Sequence, residues 1–230
     1  MCEIEGIKYY VRKQYLDADM RYGPLAHKIS EPYEFKIFKR VLKNIKEPFV
    51  VDVGAYIGAY TLAACALGAR VVALEPDPEN YHLLKANLEL NNCTQAKALN
   101  IAAGATRGRL PLLKGVLPTT HSLTPRHVDV VNEVKEVVEV DTLDNILHNI
   151  GFSNIKIDFM KIDVEGAEVE VLKGAEGALK RTSYLQIEVF KDNVEEVRRI
   201  LKGSFREIIS IKYLTQGRYP FYNIIFKRAN

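Results

Sequence analysis

No apolar run in this chain of 230 residues approaches the ~20 residues that cross a bilayer, so neither a spanning segment nor a membrane partner is expected. The first residues include Glu3, Glu5 and Lys8 instead of a secretory hydrophobic region, which points to a cytoplasmic location. Cysteine is scarce. Cys2, Cys65 and Cys93 are widely spaced and form no Cys-x-x-Cys pair, so neither a disulfide framework nor a zinc site is indicated and plain thiols are expected. No grouping of histidines and carboxylates at ligand spacing stands out, and no metal is expected. Excess charge of one sign is also missing: a formal net charge of +3 is too small to argue for nucleic acid. Arg198, Arg199, Lys202 and Arg206 do cluster, but as the solvated face and last turn of a helix.

The strongest positive signal is Phe49-Val50-Val51-Asp52-Val53-Gly54-Ala55-Tyr56-Ile57-Gly58-Ala59-Tyr60-Thr61, followed by Val71-Val72-Ala73-Leu74-Glu75-Pro76. An apolar run ending in an acid, glycines opening a helical pattern and a second apolar run ending in Glu75 read as the first βαβ unit of a nucleotide-binding sheet. A dinucleotide turn wants Gly-x-Gly-x-x-Gly around a pyrophosphate at the helix N-terminus. Here Tyr56 stands two after Gly54 and Asp52 two before it, and a carboxylate beside a pyrophosphate is repelled. S-adenosylmethionine (SAM) has no phosphate and presents an ammonium and a sulfonium, so the same acid attracts it. Glu75 then suits the two ribose hydroxyls. Gly54 is expected to let the cofactor pack directly on the turn, so that a branched side chain there blocks binding without unfolding the chain.

The remainder alternates strands and helices, which predicts an α/β, Rossmann-like fold. A hairpin is expected over residues 4–11, a helix over 32–46 and strands over 49–53, 71–74 and 96–102. Helices are expected over 58–67 and 78–90. Residues 104–149 break the repeat, with extended pieces at 109–113 and 136–140 around the loop Pro118 to Pro125, a long connection of the kind that is commonly functional. Strands at 159–164, 184–190, 206–213 and 222–227 and helices at 167–180 and 194–202 complete the pattern. The link from Leu214 to Phe221 is too short for a parallel crossover, so the last strand should be antiparallel in a seven-stranded mixed sheet with helices on both faces. Two parts are expected: an appendage over 1–48 that covers the site, and a SAM-binding domain over 49–230 with an inserted extended segment at about 105–140.

Four motifs resemble, in order and spacing, the FkbM-type SAM-dependent methyltransferases: Asp52 to Gly58, Leu74-Glu75-Pro76, Val140-Asp141-Thr142-Leu143-Asp144, and Met160-Lys161-Ile162-Asp163-Val164-Glu165-Gly166-Ala167-Glu168. The resemblance covers about residues 31–190. It implies the class I methyltransferase fold, strand order 3-2-1-4-5-7-6, and methylation of a hydroxyl on a sugar or other small molecule. Phe190 departs from the family, many of whose members carry a histidine there.

Methyl transfer to an alcohol needs an aligned donor, exclusion of water and removal of one proton. Asp163, at the carboxyl end of a strand, is the first candidate base, with Lys161 on the same strand face to hold it ionised; alternatively Asp163 or Glu165 caps the next helix. His121 in the inserted loop and Glu188 are further candidates. Asp52, Gly54, Ala55, Tyr56, Gly58, Tyr60, Thr61, Glu75, Pro76, Asp77, Asn100, Ala102 and Asp163 are the candidate cofactor contacts, with Tyr22 and Tyr33 as possible covers. Two rival readings stay open: an RNA methyltransferase, for which Lys161, Asp163, Glu188 and Lys191 offer the residue types, and a non-catalytic or redox nucleotide-binding protein.

Overall fold

The computed structural model describes residues 1–124, 130–214 and 219–229; Pro125 and residues 215–218 of the last connection lie outside them. The chain opens with a hairpin, β1 (Cys2–Ile4) and β2 (Ile7–Tyr9), then α1 (Leu16–Tyr22) and α2 (Pro32–Lys43). The first repeats are β3 (Phe49–Val53), α3 (Ala59–Ala66), β4 (Arg70–Leu74), α4 (Pro78–Leu90) and β5 (Ala96–Leu99). Three further strands, β6 (Ala102–Ala103), β7 (Gly108–Gly115) and β8 (Val130–Asp141), precede α5 (Leu143–Asn149) and β9 (Ile157–Ile162). Then come α6 (Glu168–Lys173), α7 (Glu176–Lys180), β10 (Thr182–Phe190), α8 (Val194–Leu201), β11 (Phe205–Leu214) and β12 (Pro220–Arg228).

Seven strands form one sheet in the order β11-β12-β10-β9-β3-β4-β5. Numbered along the chain within that sheet, this is 3-2-1-4-5-7-6, and β12 runs antiparallel to both β10 and β11. Both faces are covered, which is why β3 is apolar almost throughout and buried at every position. Val51, Val53, Met160, Ile162, Leu185 and Ile187 pack toward α5 to α8, while Val50, Val71, Ala73 and Phe159 pack toward α2, α3 and α4. The spacing of Phe35, Phe38 and Leu42 on α2 gives that helix its buried stripe, with the Phe38 ring 4.9 Å from that of Phe159. On α8, Arg198 and Arg199 pair with Glu195, Glu196 and Glu207 on the solvent side.

Some expectations are corrected. The third strand ends at Leu99, because the Asn100 side chain turns back to donate to the carbonyls of Glu75 (2.8 Å) and Pro76 (2.9 Å). Ala102 and Ala103 pair instead with the end of β8 in a separate three-stranded sheet, β6-β8-β7. Residues 143–149 form a helix where no regular repeat was expected. The helix expected over 167–180 is split at Gly174, where a Cβ would come within 2.0 Å of the Gly104 carbonyl oxygen. Cys65 and Cys93 are not plain thiols: α3 and the turn after α4 bring their Cα atoms to 5.9 Å and the two are disulfide-bonded, while Cys2 stays free. That proximity is tertiary, and a spacing of 28 residues on two different elements does not announce it.

Gly54 is the position that most tightly ties neighbouring segments. It has φ +82°, and a Cβ would lie 1.8 Å from the Asp163 carbonyl oxygen. The turn after β3 therefore presses against the backbone after β9, so a side chain at Gly54 meets the fold before it meets any ligand, contrary to the expectation above. Gly54→Ala is expected to cost about 2–5 kcal/mol in urea unfolding, the sum of a left-handed strain and an overpacking penalty. Gly68→Ala, at φ +77° but facing open space, is the control and should lose only about 1–2 kcal/mol. Equal losses at the two positions would contradict the packing argument.

Candidate active site

A cavity of about 510 Å³ opens at the carboxyl ends of β3, β4 and β9, where the strand order reverses. The first turn lines one side of it. The N–H groups of Gly54 and Ala55 both donate to the Leu74 carbonyl at 2.9 Å, and Tyr56 N–H donates to Glu75 Oε2 at 2.8 Å. These three amides are spent within the protein and are not offered to a pyrophosphate. Glu75 also accepts from Asp77 N–H at 3.1 Å, and burial pushes its carboxyl up to about 7. Asp52 is buried; its Oδ2 accepts from Thr61 (2.6 Å), while Oδ1 has no hydrogen-bond partner among the described residues. A buried acid with an unbonded oxygen just before a turn whose first amides are taken, and a second carboxylate at the end of the next strand, suit the ammonium and ribose hydroxyls of SAM.

Tyr56 has a left-handed backbone, φ 52°, unusual for an aromatic residue. It is held from the N-terminal segment: its hydroxyl donates to Asp19 of α1, and Arg12 reaches both Asp19 (2.9 Å) and the Tyr56 hydroxyl (3.0 Å). Neither Arg12 nor Asp19 stands out in the sequence, because each acts only through tertiary contact.

The second half of the site is built by strand register. Asp52 of β3 lies beside Lys161 of β9, and Lys161 beside Gln186 of β10. Asp163 and Glu188 follow two residues later on their strands, on the same face. Lys161 Nζ donates to Asp163 Oδ2 at 2.7 Å and sits 4.8 Å from the centre of the Tyr60 ring, so the anticipated ion pair forms. Burial alone would lower the Lys161 pKa, but Asp163, Glu31 and Asp52 outweigh it and the net shift is upward.

Glu31, just before α2, was not anticipated. It accepts from Tyr60 (2.5 Å) and Gln186 Nε2 (2.9 Å), and burial pushes it up to about 7 although Lys161 pulls it down. Its only sequence signal is an acid before Pro32 at a helix start, which reads as a cap; the side chain makes no capping bond. Burial, then Asp163, Glu165 and Glu31, raise Glu188 well above the usual carboxylate range. Carboxylate oxygens of Glu31, Asp163 and Glu188 lie within 4.8 Å of one another, a spacing able to hold a cation. The Lys161 ammonium already serves the Asp163 member of that group.

His121 reaches the cavity from the β7–β8 connection. Gly115 N–H donates to its Nδ1 at 2.9 Å, while its Nε2 lies 3.2 Å from Lys135 Nζ and 3.5 Å from Asp77 Oδ2. Its basic lone pair is thus taken, and burial lowers its pKa to about 4. Asp77 caps α4 through Glu79 and Asn80 N–H and binds Lys135 at 2.6 Å, while still lining the cavity. Ala55, Tyr60, Pro76, Ala102 and Tyr22 also line it. Gly58, Thr61, Asn100 and Tyr33 do not: Gly58 starts α3, Thr61 and Asn100 bond neighbouring site residues, and Tyr33 faces solvent. Neither Asp163 nor Glu165 caps α6, whose N-cap is Ala167; Glu168 instead accepts from Gly166 N–H.

The profile of the FkbM methyltransferase domain matches residues 52–216. The chain belongs to the FkbM methyltransferase family. Methyltransferase sdnD of Sordaria araneosa is 33% identical over 159 residues, 56% of this chain and 61% of that protein. Hexuronic acid methyltransferase AglP of Haloferax volcanii is 26% identical over 161 residues, 68% of this chain and 62% of that protein. The chain thus spans about three fifths of the length of these curated relatives. Among solved structures, precorrin-6y C5,15-methyltransferase of Geobacter metallireducens superposes with a TM-score of 0.55 at 13% identity, covering 96% of this chain and 94% of its own. That likeness establishes the shared class I methyltransferase fold. Among the described residues, no helix is long and apolar enough to cross a membrane.

The raised Glu31 pKa makes a stability prediction. Its ordinary value is 4.5, so between there and about 7 the folded state holds a proton that the unfolded state has lost. The contribution is complete at low pH and disappears as pH rises through about 7. Glu31→Gln should therefore flatten the fall in unfolding free energy between about pH 5 and about pH 8, by about 3 kcal/mol at most. Denaturant titrations of both proteins across that range check it; parallel curves would contradict it.

Proposed function

We propose that this chain is a SAM-dependent methyltransferase that methylates a hydroxyl oxygen of a small molecule or sugar. The observation that carries the cofactor assignment is the turn after β3, whose Gly54, Ala55 and Tyr56 amides are already bonded while Asp52 keeps a buried acceptor oxygen. This chemistry suits a cationic nucleoside and speaks against the dinucleotide alternative. In this reading Asp52 attracts the ammonium, Glu75 accepts from the ribose hydroxyls, and residues 1–48 cover the cavity that the domain over 49–230 holds. SAM, when bound, supplies the electrophilic methyl group.

Asp163 is the base. Lys161 holds one of its oxygens, it reaches the cavity at the strand end, and the proton lost from the acceptor hydroxyl goes to its other oxygen as the methyl is transferred in line. Glu188, whose carboxyl is pushed upward by burial, lines the same cavity on the neighbouring strand and faces the acceptor. The family supports the reaction class, and a relative named for a hexuronic acid supports a sugar as acceptor.

Two variants test the reading. Glu75→Ala should weaken S-adenosylhomocysteine binding by about 1.5–3 kcal/mol in calorimetry, the range for hydrogen bonds to a charged group. Unchanged affinity would remove the ribose assignment. Asp163→Asn should bind the same ligand normally but slow turnover of an accepted substrate by roughly 10²–10⁴. Near-normal turnover would end its role as base.

A further inference from the structure

The half of the cavity beyond the Gly54 turn is unusual in its balance of donors and acceptors. Four carboxyl groups line it: Glu31, Asp163, Glu165 and Glu188. Its buried donors are already directed at carboxylates. Lys161 donates to Asp163, Tyr60 and Gln186 to Glu31, and Asn223 to Glu188 (3.4 Å). Tyr213, also on the lining, donates to Glu34 at 2.9 Å. Arg21 and Tyr22 remain at the exposed rim. Above these groups stands an aromatic wall in which Tyr213 stacks on Phe221 at 5.3 Å and Phe190 lies 6.1 Å from Phe221.

We infer that this half of the cavity rejects anionic acceptors and takes an uncharged polyhydroxylated ring, whose hydroxyls donate to the carboxylates and whose C–H face lies on the aromatic wall. The inference rests on the reading of the chain as a hydroxyl methyltransferase and narrows its acceptor. A uronate or phosphate brought here adds a negative charge to a low-dielectric cavity already crowded with carboxyl groups and whose buried donors are committed. A neutral polyol meets the opposite situation, because it brings donors to a surface rich in acceptors. The burial-raised pKa values of Glu31 and Glu188 point the same way, since the site already resists its own negative charge. RNA, with its phosphates, is disfavoured by the same argument, and so is a hexuronic acid of the kind for which the Haloferax relative is named.

The test separates this inference from the reading beneath it. Calorimetry with S-adenosylhomocysteine comes first; if that ligand does not bind, the cofactor reading fails, whatever the acceptor half prefers. On the protein saturated with it, methyl glucoside and methyl glucuronide, and methyl galactoside and methyl galacturonide, are titrated as matched pairs by saturation-transfer NMR. The neutral member of at least one pair should bind at least about tenfold more tightly, and the gap should shrink when Glu31→Gln and Glu188→Gln are combined. Equal binding within every pair, tighter binding of a uronide, or no binding by any member would overturn the inference. Because the wild-type comparison carries the result, a poorly folding double variant does not spare it.

Discussion

Lys161 carries a buried ammonium beside Asp52, Asp163 and Glu31, and these carboxyl groups can share one face of the sheet only because that charge stands among them. Its position follows from register: β9 runs between β3 and β10, so Lys161 has Asp52 on one side and Gln186 on the other. The cation also rests against the Tyr60 ring, whose hydroxyl extends the network to Glu31. Removing one member of such a set leaves the others buried and uncompensated, and groups in that condition neutralise by shifting their pKa. The two ends of the cavity are joined through this residue.

Much of this was legible in the sequence, for reasons that differ by element. The strands β3, β4, β9 and β10 are short apolar runs, because parallel strands are covered on both faces. Their order came from the resemblance, and the antiparallel last strand from a short connection. The Lys161–Asp163 pair was readable because a period of two is intrinsic to a strand. Glu31, Arg12 and Asp19 were not readable: each lies in the N-terminal segment and is brought to the site by packing against side chains far along the chain. The disulfide and the break at Gly174 escaped for the same reason, since each depends on a neighbour from another element.

The turn after β3 shows how local rules give way to tertiary contacts. A tyrosine at a left-handed φ is costly in isolation. Here Glu75 fixes its amide while Arg12 and Asp19 fix its hydroxyl, so both ends of the residue are constrained. The arrangement ties the geometry of the turn to whether the N-terminal segment is docked. His121 is similarly enclosed, with Gly115 on one nitrogen and Asp77 near the other, which makes it a structural clasp of the inserted loop.

The site is stitched together by contacts between residues very far apart in the chain. Gln186 meets Glu31 across 155 positions, Tyr213 meets Glu34 across 179, and the Asp158 side chain caps the start of β3 across 109. Contacts of that separation can close only once segments from both ends of the chain are present, so the pocket is completed after the first βαβ unit has the means to exist. A cofactor that recognises only the assembled pocket stabilises the native state without helping the chain to reach it. Its kinetic signature is slower unfolding at nearly constant folding rate, so during synthesis the chain has little help from its own ligand until the final strands are in place.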